Sequence, residues 1–304
     1  MSLEQPRVCL AISAYRSDDS VIRLLETAMA LEAPPFQHVL VVDSLGSGKI
    51  AAAIAERGWK SRVEYRSFPT NLGSAGNLAR RLSIPTEQGF DFVYAINHDG
   101  LVAPEIISAL LAHARTSERI GAVYPLRRYT RRGGAYDLTG RTRFPVPAIA
   151  LKKAPESEVV PVFWASSNGA LYATRPLAEG LRILDELWLG FEDLAWGWSL
   201  DHAGYEQHLL TSVVLDDDYE YQQSRVGTLT EKPSWYSYYL LRNLILAARR
   251  TRQGPVVRAS IAARVLLEFG ITAAVRKDKK KRLSLLAQGV VDGILDRAGK
   301  GPVP

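Results

Sequence analysis

The chain carries one cysteine, Cys9, in 304 residues. A single thiol excludes a disulfide within the chain and excludes a metal site built from thiolates. No run of about eighteen apolar residues occurs, so no segment reads as a membrane span. The N-terminus is polar and the first apolar run is short, which predicts no secretory leader. These absences together give the expectation of a cytoplasmic protein. Internal repeats and low-complexity tracts are also missing. What remains is an ordinary globular composition, 47% hydrophobic and 23% charged, long enough for one large domain or one and a half. The net charge of +6 suits an anionic ligand, nucleic acid or an anionic membrane surface.

The most informative stretch is Phe92 to Pro104, FVYAINHDGLVAP. Phe92 to Ile96 is apolar apart from one hydroxyl and reads as a strand buried on both faces. It stops at Asn97, His98, Asp99 and Gly100, and Pro104 opens an apolar-periodic helix. Three similar units precede it. Val8 to Ala14 is a strand followed by Tyr15 and Arg16, and His38 to Val42 is a strand followed by Asp43. Val63 to Ser67 is a strand followed by a loop, Thr70 to Asn77, and a helix from about Asn77 to Leu82. Strand and helix alternate four times before residue 115, which predicts an α/β fold with a parallel sheet. All four polar clusters then share one rim, at the carboxyl ends of the strands, where open α/β sheets bind ligands. Turn chemistry alone also accounts for Asn, Asp and Gly at such places.

Farther on, Gly121 to Pro125 is read as a strand and Arg127 to Thr142 as a basic, Gly-rich loop. VFWASSNGALYAT is a strand broken at Ser166 to Gly169. LDELWLGFEDLAWGWSL is a turn entering an aromatic-rich helix. Glu206 to Leu215 is a strand stopped by Asp216, Asp217 and Asp218. Three helices close the chain, Trp235 to Arg250, Val256 to Val275 and Leu283 to Leu295. The expected division is an α/β domain over residues 1–232 and a helical region over 233–304.

Seven motifs carry a resemblance. They are VCLAISAYRSDD, VVDSLGSG, NLGSAGNLA, FVYAINHDGLVAPEII, FWASSNGALYATR, LDELWLGFEDLAWGWSLDHAGY and SYYLLRNLIL. In this order and spacing the chain resembles the family-2 glycosyltransferases with the GT-A fold. The last motif is similar to rhamnosyl- and galactofuranosyl-transferase members. The resemblance implies inverting transfer from a dTDP- or UDP-sugar, such as rhamnose or galactofuranose, to a glycan, glycolipid or other hydroxyl acceptor. It implies donor contacts from Tyr15, Arg16, Asp43, Asn71, Gly73, Asn77, Asn97, His98 and Asp99. It implies an acceptor side formed by Trp164, Asn168, Trp188, Glu192 and Trp196, with Asp193 as the general base.

Two departures stand out. The acidic metal stretch reads Asn97, His98 and Asp99, leaving one carboxylate, and the place of a late metal-binding His is held by the aspartates at 216–218. A divalent Mg or Mn held by Asp99 and Asp216 is the expectation, with a dependence weaker than that of members with three acids. Asn97 and His98 also motivate the alternative of a catalytically degenerate nucleotide-sugar binder, against which Glu192 and Asp193 are retained. A sugar-nucleotide nucleotidyltransferase would need glycine after the first strand, and AISAYRSDD has none there. No nucleic-acid module is present. The basic run RKDKKKR, Arg276 to Arg282, sits between two amphipathic helices and is either a solvated face or a peripheral contact with the inner membrane surface.

Overall fold

The computed structural model describes residues 5–130, 133–145, 150–217 and 232–301. Its first half alternates β1 (Val8–Tyr15), α1 (Asp18–Met29), β2 (His38–Ser44), α2 (Lys49–Glu56), β3 (Val63–Phe68), α3 (Gly73–Glu87), β4 (Phe92–Ile96) and α4 (Pro104–Ala114). The four strands are adjacent and parallel in the order β3-β2-β1-β4. β1 shows why its sequence is apolar at both parities. Val8, Leu10, Ile12 and Ala14 enter one core with Leu25 of α1 and Leu110 of α4. Cys9 and Ala11 point to the opposite face, toward Phe90 and toward Leu78 and Leu82 of α3.

The second half adds β5 (Ile120–Tyr129), β6 (Ala135–Asp137), β7 (Ala150–Leu151), β8 (Val159–Pro161), β9 (Ala170–Ala173), α5 (Arg175–Ala178), a 3-10 turn at Asp185–Leu187, α6 (Glu192–His202) and β10 (Glu206–Asp217). The sheet continues β4-β9-β5-β10-β8, with β9 antiparallel to both its neighbours. α7 (Tyr236–Arg250), α8 (Pro255–Val275) and α9 (Lys279–Ile294) follow. Leu244 and Ala247 of α7 and Val257 and Ile261 of α8 share a core with Leu194 and Trp198 of α6.

Three differences from the sequence reading have physical causes. Gly73 to Asn77 is not a loop before α3 but its first turn. Gly73 takes φ +68 and lets the helix start there, and Ala75, Asn77 and Leu78 are already buried. Arg127 and Arg128 belong to β5, and Asp216 and Asp217 extend β10 instead of stopping it. Arg128 and Asp216 face each other in register and pair through two hydrogen bonds of 2.6 and 2.8 Å, and Arg127 pairs with Asp217. The charges neutralise one another across the ladder, so the strands continue. α9 starts at Lys279, which draws three lysines of the basic run into a helix. Arg131, Arg132, Asp218 and residues 219–231 lie outside the described residues.

Candidate active site

A cavity of about 390 Å³ opens at the carboxyl ends of the parallel strands. One wall is the expected rim. Ser13, at the end of β1, donates its hydroxyl to Asn97 Oδ1 at 3.1 Å. The Asn97 backbone N–H donates to Asn168 Oδ1 at 2.9 Å, which ties the end of β4 to the turn before β9. Asn77 Nδ2 donates to the Val42 carbonyl at 3.0 Å, and its Oδ1 is buried with no partner among the described residues. Asn71 Oδ1 accepts from the Gly73 N–H at 2.9 Å and sets the turn into α3. Tyr15 reaches the mouth, with the Arg16 guanidinium 5.3 Å above its ring.

The other wall comes from residues 188–193. Trp188 adopts φ +62, an uncommon conformation for a bulky residue. Its carbonyl accepts from the Ala75 N–H at 3.1 Å, its Nε1 donates to the Asn71 carbonyl at 3.2 Å, and the Gly190 N–H donates to Ser74 Oγ at 3.2 Å. A β-carbon on Gly73 would collide with the Trp188 carbonyl, so glycine is required there on two counts. Behind this loop stand Arg242 and Asn243, both fully buried. Asn243 Nδ2 donates to the carbonyls of Leu187, Leu189 and Gly190 at 3.0, 2.7 and 2.9 Å. Arg242 donates to the Leu187 carbonyl at 2.7 Å and the Gly299 carbonyl at 2.6 Å. The Arg-Asn pair of α7 therefore fixes the segment that delivers Glu192 and Asp193.

Those two carboxylates open α6, where the helix dipole favours negative charge. Both line the cavity, yet Glu192 Oε2 and Asp193 Oδ1 are each enclosed without a hydrogen-bond partner among the described residues. Burial raises the pKa of both acids, to about 7 at Glu192, where the Asp193 charge adds to the rise. Ser74 opposes the rise at Glu192, and Ser167 opposes it at Asp193. Arg81 of α3, 3% exposed, lies in the same wall and lowers both acids. Its guanidinium donates to the Ile96 carbonyl at 2.9 Å, and burial drops its own pKa to about 10. The cavity thus joins a polar rim suited to a phosphorylated ligand to two buried acids whose proton affinity is raised, as a general base requires.

The description of glycosyl transferase family 2 matches residues 9–170. The chain belongs to glycosyl transferase family 2. The match takes in the polar rim and ends before Glu192 and Asp193. No curated protein matches the chain by sequence. Among solved structures, the mannosyltransferase PcManGT from Pyrobaculum calidifontis, in complex with GDP-Man and Mn2+, is 14% identical with a TM-score of 0.58, covering 97% of this chain and 89% of that one. Residues 1-349 of S. aureus TarS, in complex with UDP-GlcNAc, are 13% identical with a TM-score of 0.61, covering 95% and 81%. GalNAc-T7 with UDP, GalNAc and Mn2+ is 10% identical with a TM-score of 0.60, covering 82% of this chain and 48% of that one. These likenesses place the fold as GT-A.

Within this family-2 enzyme the expected site residues separate into three groups. Tyr15, Asn71, Gly73, Asn77, Asn97, His98, Trp188, Glu192 and Asp193 are brought together around the cavity. Asn168 stands just behind it, and Arg16 sits over Tyr15 at its mouth. The remainder lie elsewhere. Asp43 is 2% exposed and below the rim, where its carboxylate accepts from the Tyr65 hydroxyl at 2.7 Å, and burial raises its pKa. Trp196, expected on the acceptor side, is 1% exposed and packed in the core with Tyr172 and Leu200. Trp164 packs against the core of α6 and α7. Asp99 is exposed and off the cavity wall, and Asp216 is held by Arg128.

The sequence reading missed Arg81, Ser74, Ser167 and Trp235, all on the cavity wall. Arg81 had a signal, since it falls one helical turn after Asn77 on the buried face of α3. For a resident divalent metal the donors do not fit. Among the described residues no three His, Cys, Asp or Glu side chains gather, and Asp216 is engaged by Arg128. Mg²⁺ is commonly held by one or two carboxylates together with substrate phosphates, and Asp99, exposed and off the cavity wall, is not placed to supply one there.

Proposed function

We propose that the chain is an inverting glycosyltransferase that moves a hexose from a nucleoside diphosphate to a hydroxyl acceptor. The observation that carries this reading is the Glu192–Asp193 pair, raised in pKa and opening on the same cavity as the nucleotide rim. The acceptor oxygen forms its bond to the anomeric carbon as the bond from that carbon to the diphosphate oxygen breaks. The electron pair leaves with the diphosphate, and the hydroxyl proton passes to Asp193. One displacement inverts the centre and needs one base. His98 and the N-terminus of α3 face the leaving charge.

PcManGT was crystallised with GDP-Man and TarS with UDP-GlcNAc, which supports a nucleotide-sugar donor in this fold without selecting a base. Rhamnose or galactofuranose remains the expected sugar from the Arg242–Asn243 motif. These two residues are buried behind the loop, so any bearing on donor choice is indirect. The test is release of free nucleoside diphosphate from a panel of GDP-, UDP- and dTDP-sugars with glycan and glycolipid acceptors. NMR of the product's anomeric configuration and calorimetry of nucleotide binding with and without Mn²⁺ accompany it. One donor should turn over with inversion. Tight nucleotide binding with no release from any donor would establish the degenerate binder instead.

A further inference from the structure

Helix α8 is turned inside out over its second half. Its buried residues are Val257 and Ile261 near the start but Glu268 and Thr272 toward the end, at 4% and 2% exposure. Glu268 is ion-paired with Arg264 inside. The opposite face meets solvent with Val256 at 67% exposure, Leu266 at 75% and Leu267 at 50%. Ala259, Ala263 and Ala274 are exposed on the same side. At 100° per residue these six positions fall in one stripe, about 30 Å long for a helix of this length. No charged side chain lies on it, whereas the solvent face of a surface helix ordinarily carries the charges.

Positive charge brackets the stripe. Arg252 and Arg258 are exposed at its start, and Lys277, Lys280 and Lys281 just past its end. Asp278 is the one exposed acid between residues 252 and 281. The basic run is not all solvated. Arg282 is turned inward, donating to the Lys277 carbonyl at 3.0 Å and the Lys232 carbonyl at 2.6 Å, and Lys279 donates to the Ala274 carbonyl at 3.0 Å. The turn after α8 is thereby held, with its free lysines pointing outward at the end of the apolar stripe.

We propose that α8 lies flat on an anionic phospholipid bilayer, its apolar stripe in the acyl boundary and its bracketing cations at the headgroups. An interfacial helix needs apolar surface and charges that reach the headgroups, and both are present here. Charge decides against a second copy of the chain as the occupant. A partner copy would bring the same five cations and another net charge of +6 to the same contact. No helix among the described residues is long and apolar enough to cross a membrane, so the contact is peripheral. This inference is independent of the donor and the base.

The test uses the full chain in co-sedimentation with phosphatidylcholine vesicles, with and without phosphatidylglycerol. Binding should require phosphatidylglycerol and weaken as salt is raised. Leu266→Glu with Leu267→Glu should abolish it, and Lys280→Glu with Lys281→Glu should weaken it by about 10-fold or more. Both pairs are exposed, so melting temperature should be unchanged, and this separates lost docking from lost folding. Absence of wild-type binding overturns the proposal. So does binding that ignores the leucine pair, which would be adsorption by charge alone. A dimer in light scattering that the leucine pair converts to a monomer also overturns it, because a second copy would then cover the stripe.

Discussion

Replacing Asp193 by Asn tests the catalytic reading most directly. Asn keeps the shape and hydrogen-bonding capacity of the side chain but takes no proton from the acceptor. Loss of a general base lowers rate by roughly two to four orders of magnitude, about 3–5 kcal/mol in the barrier. Nucleotide affinity should stay near wild type, since the rim comes from residues before 100. The structure adds a second readout. Asp193 is raised in pKa by burial, so between its unfolded and folded values the native state holds more protons than the unfolded chain. Stability is then lost as pH rises through that interval. Asp193→Asn removes part of this loss, so relative to wild type it should melt higher at about pH 8 than at about pH 5. The assays are sugar transfer, calorimetry with nucleoside diphosphate and thermal melting at both pH values. Glu192→Gln is the neighbouring control and should lose less activity. Near-normal transfer by Asp193→Asn with a dead Glu192→Gln would move the base to Glu192. Activity in both would remove the base from this pair altogether.

Arg81→Met should shift the acidic limb of the pH–rate profile upward, because Arg81 lowers both acids, and an unmoved limb would show that it does not tune them. Asn243→Ala strips the Leu189 and Gly190 carbonyls of their donor, while Leu187 keeps Arg242. It should cost about 2–4 kcal/mol of stability and reduce turnover, and a wild-type denaturant midpoint would refute the clamp. Gly73→Ala should cost at least about 1–3 kcal/mol from backbone strain alone, with more from the contact with the Trp188 carbonyl, as read by melting temperature.

The rim was legible because its signals are local. Each parallel strand is an apolar run ended by turn residues, and parallel pairing sends all the ends to one edge. Trp196 was assigned to the acceptor side, although the evidence for a core position is local too. α6 is apolar nearly all round, and such a helix is buried all round. Arg80 and Arg81 show a finer limit. They are neighbours in sequence, one exposed and one buried beside two carboxylates, and only the phase of α3 separates them. The helix was expected to begin only at about Asn77, because Gly73 looked like part of a loop. Asp216 failed for a nonlocal reason. Its partner, Arg128, lies 88 residues away and meets it through the register of β10 on β5.

The family match ends at residue 170, whereas the cavity wall continues through Trp188, Glu192 and Asp193. Residues 9–170 build the donor rim on a sheet whose backbone hydrogen bonds already fix it. The acids have no such frame. They begin a helix that follows a loop containing two non-glycine residues at positive φ, Trp188 and Phe191, a conformation that persists only when its surroundings enforce it. Two sets of contacts supply that enforcement. From the front, α3 grips the loop through Ser74 and Ala75, and from behind, α7 grips it through Arg242 and Asn243. Helix α7 therefore holds the loop that positions Glu192 and Asp193 and is not an appendage to the sheet. A truncation after β10 should leave the rim's strands in place and still cost the chain the position of its base.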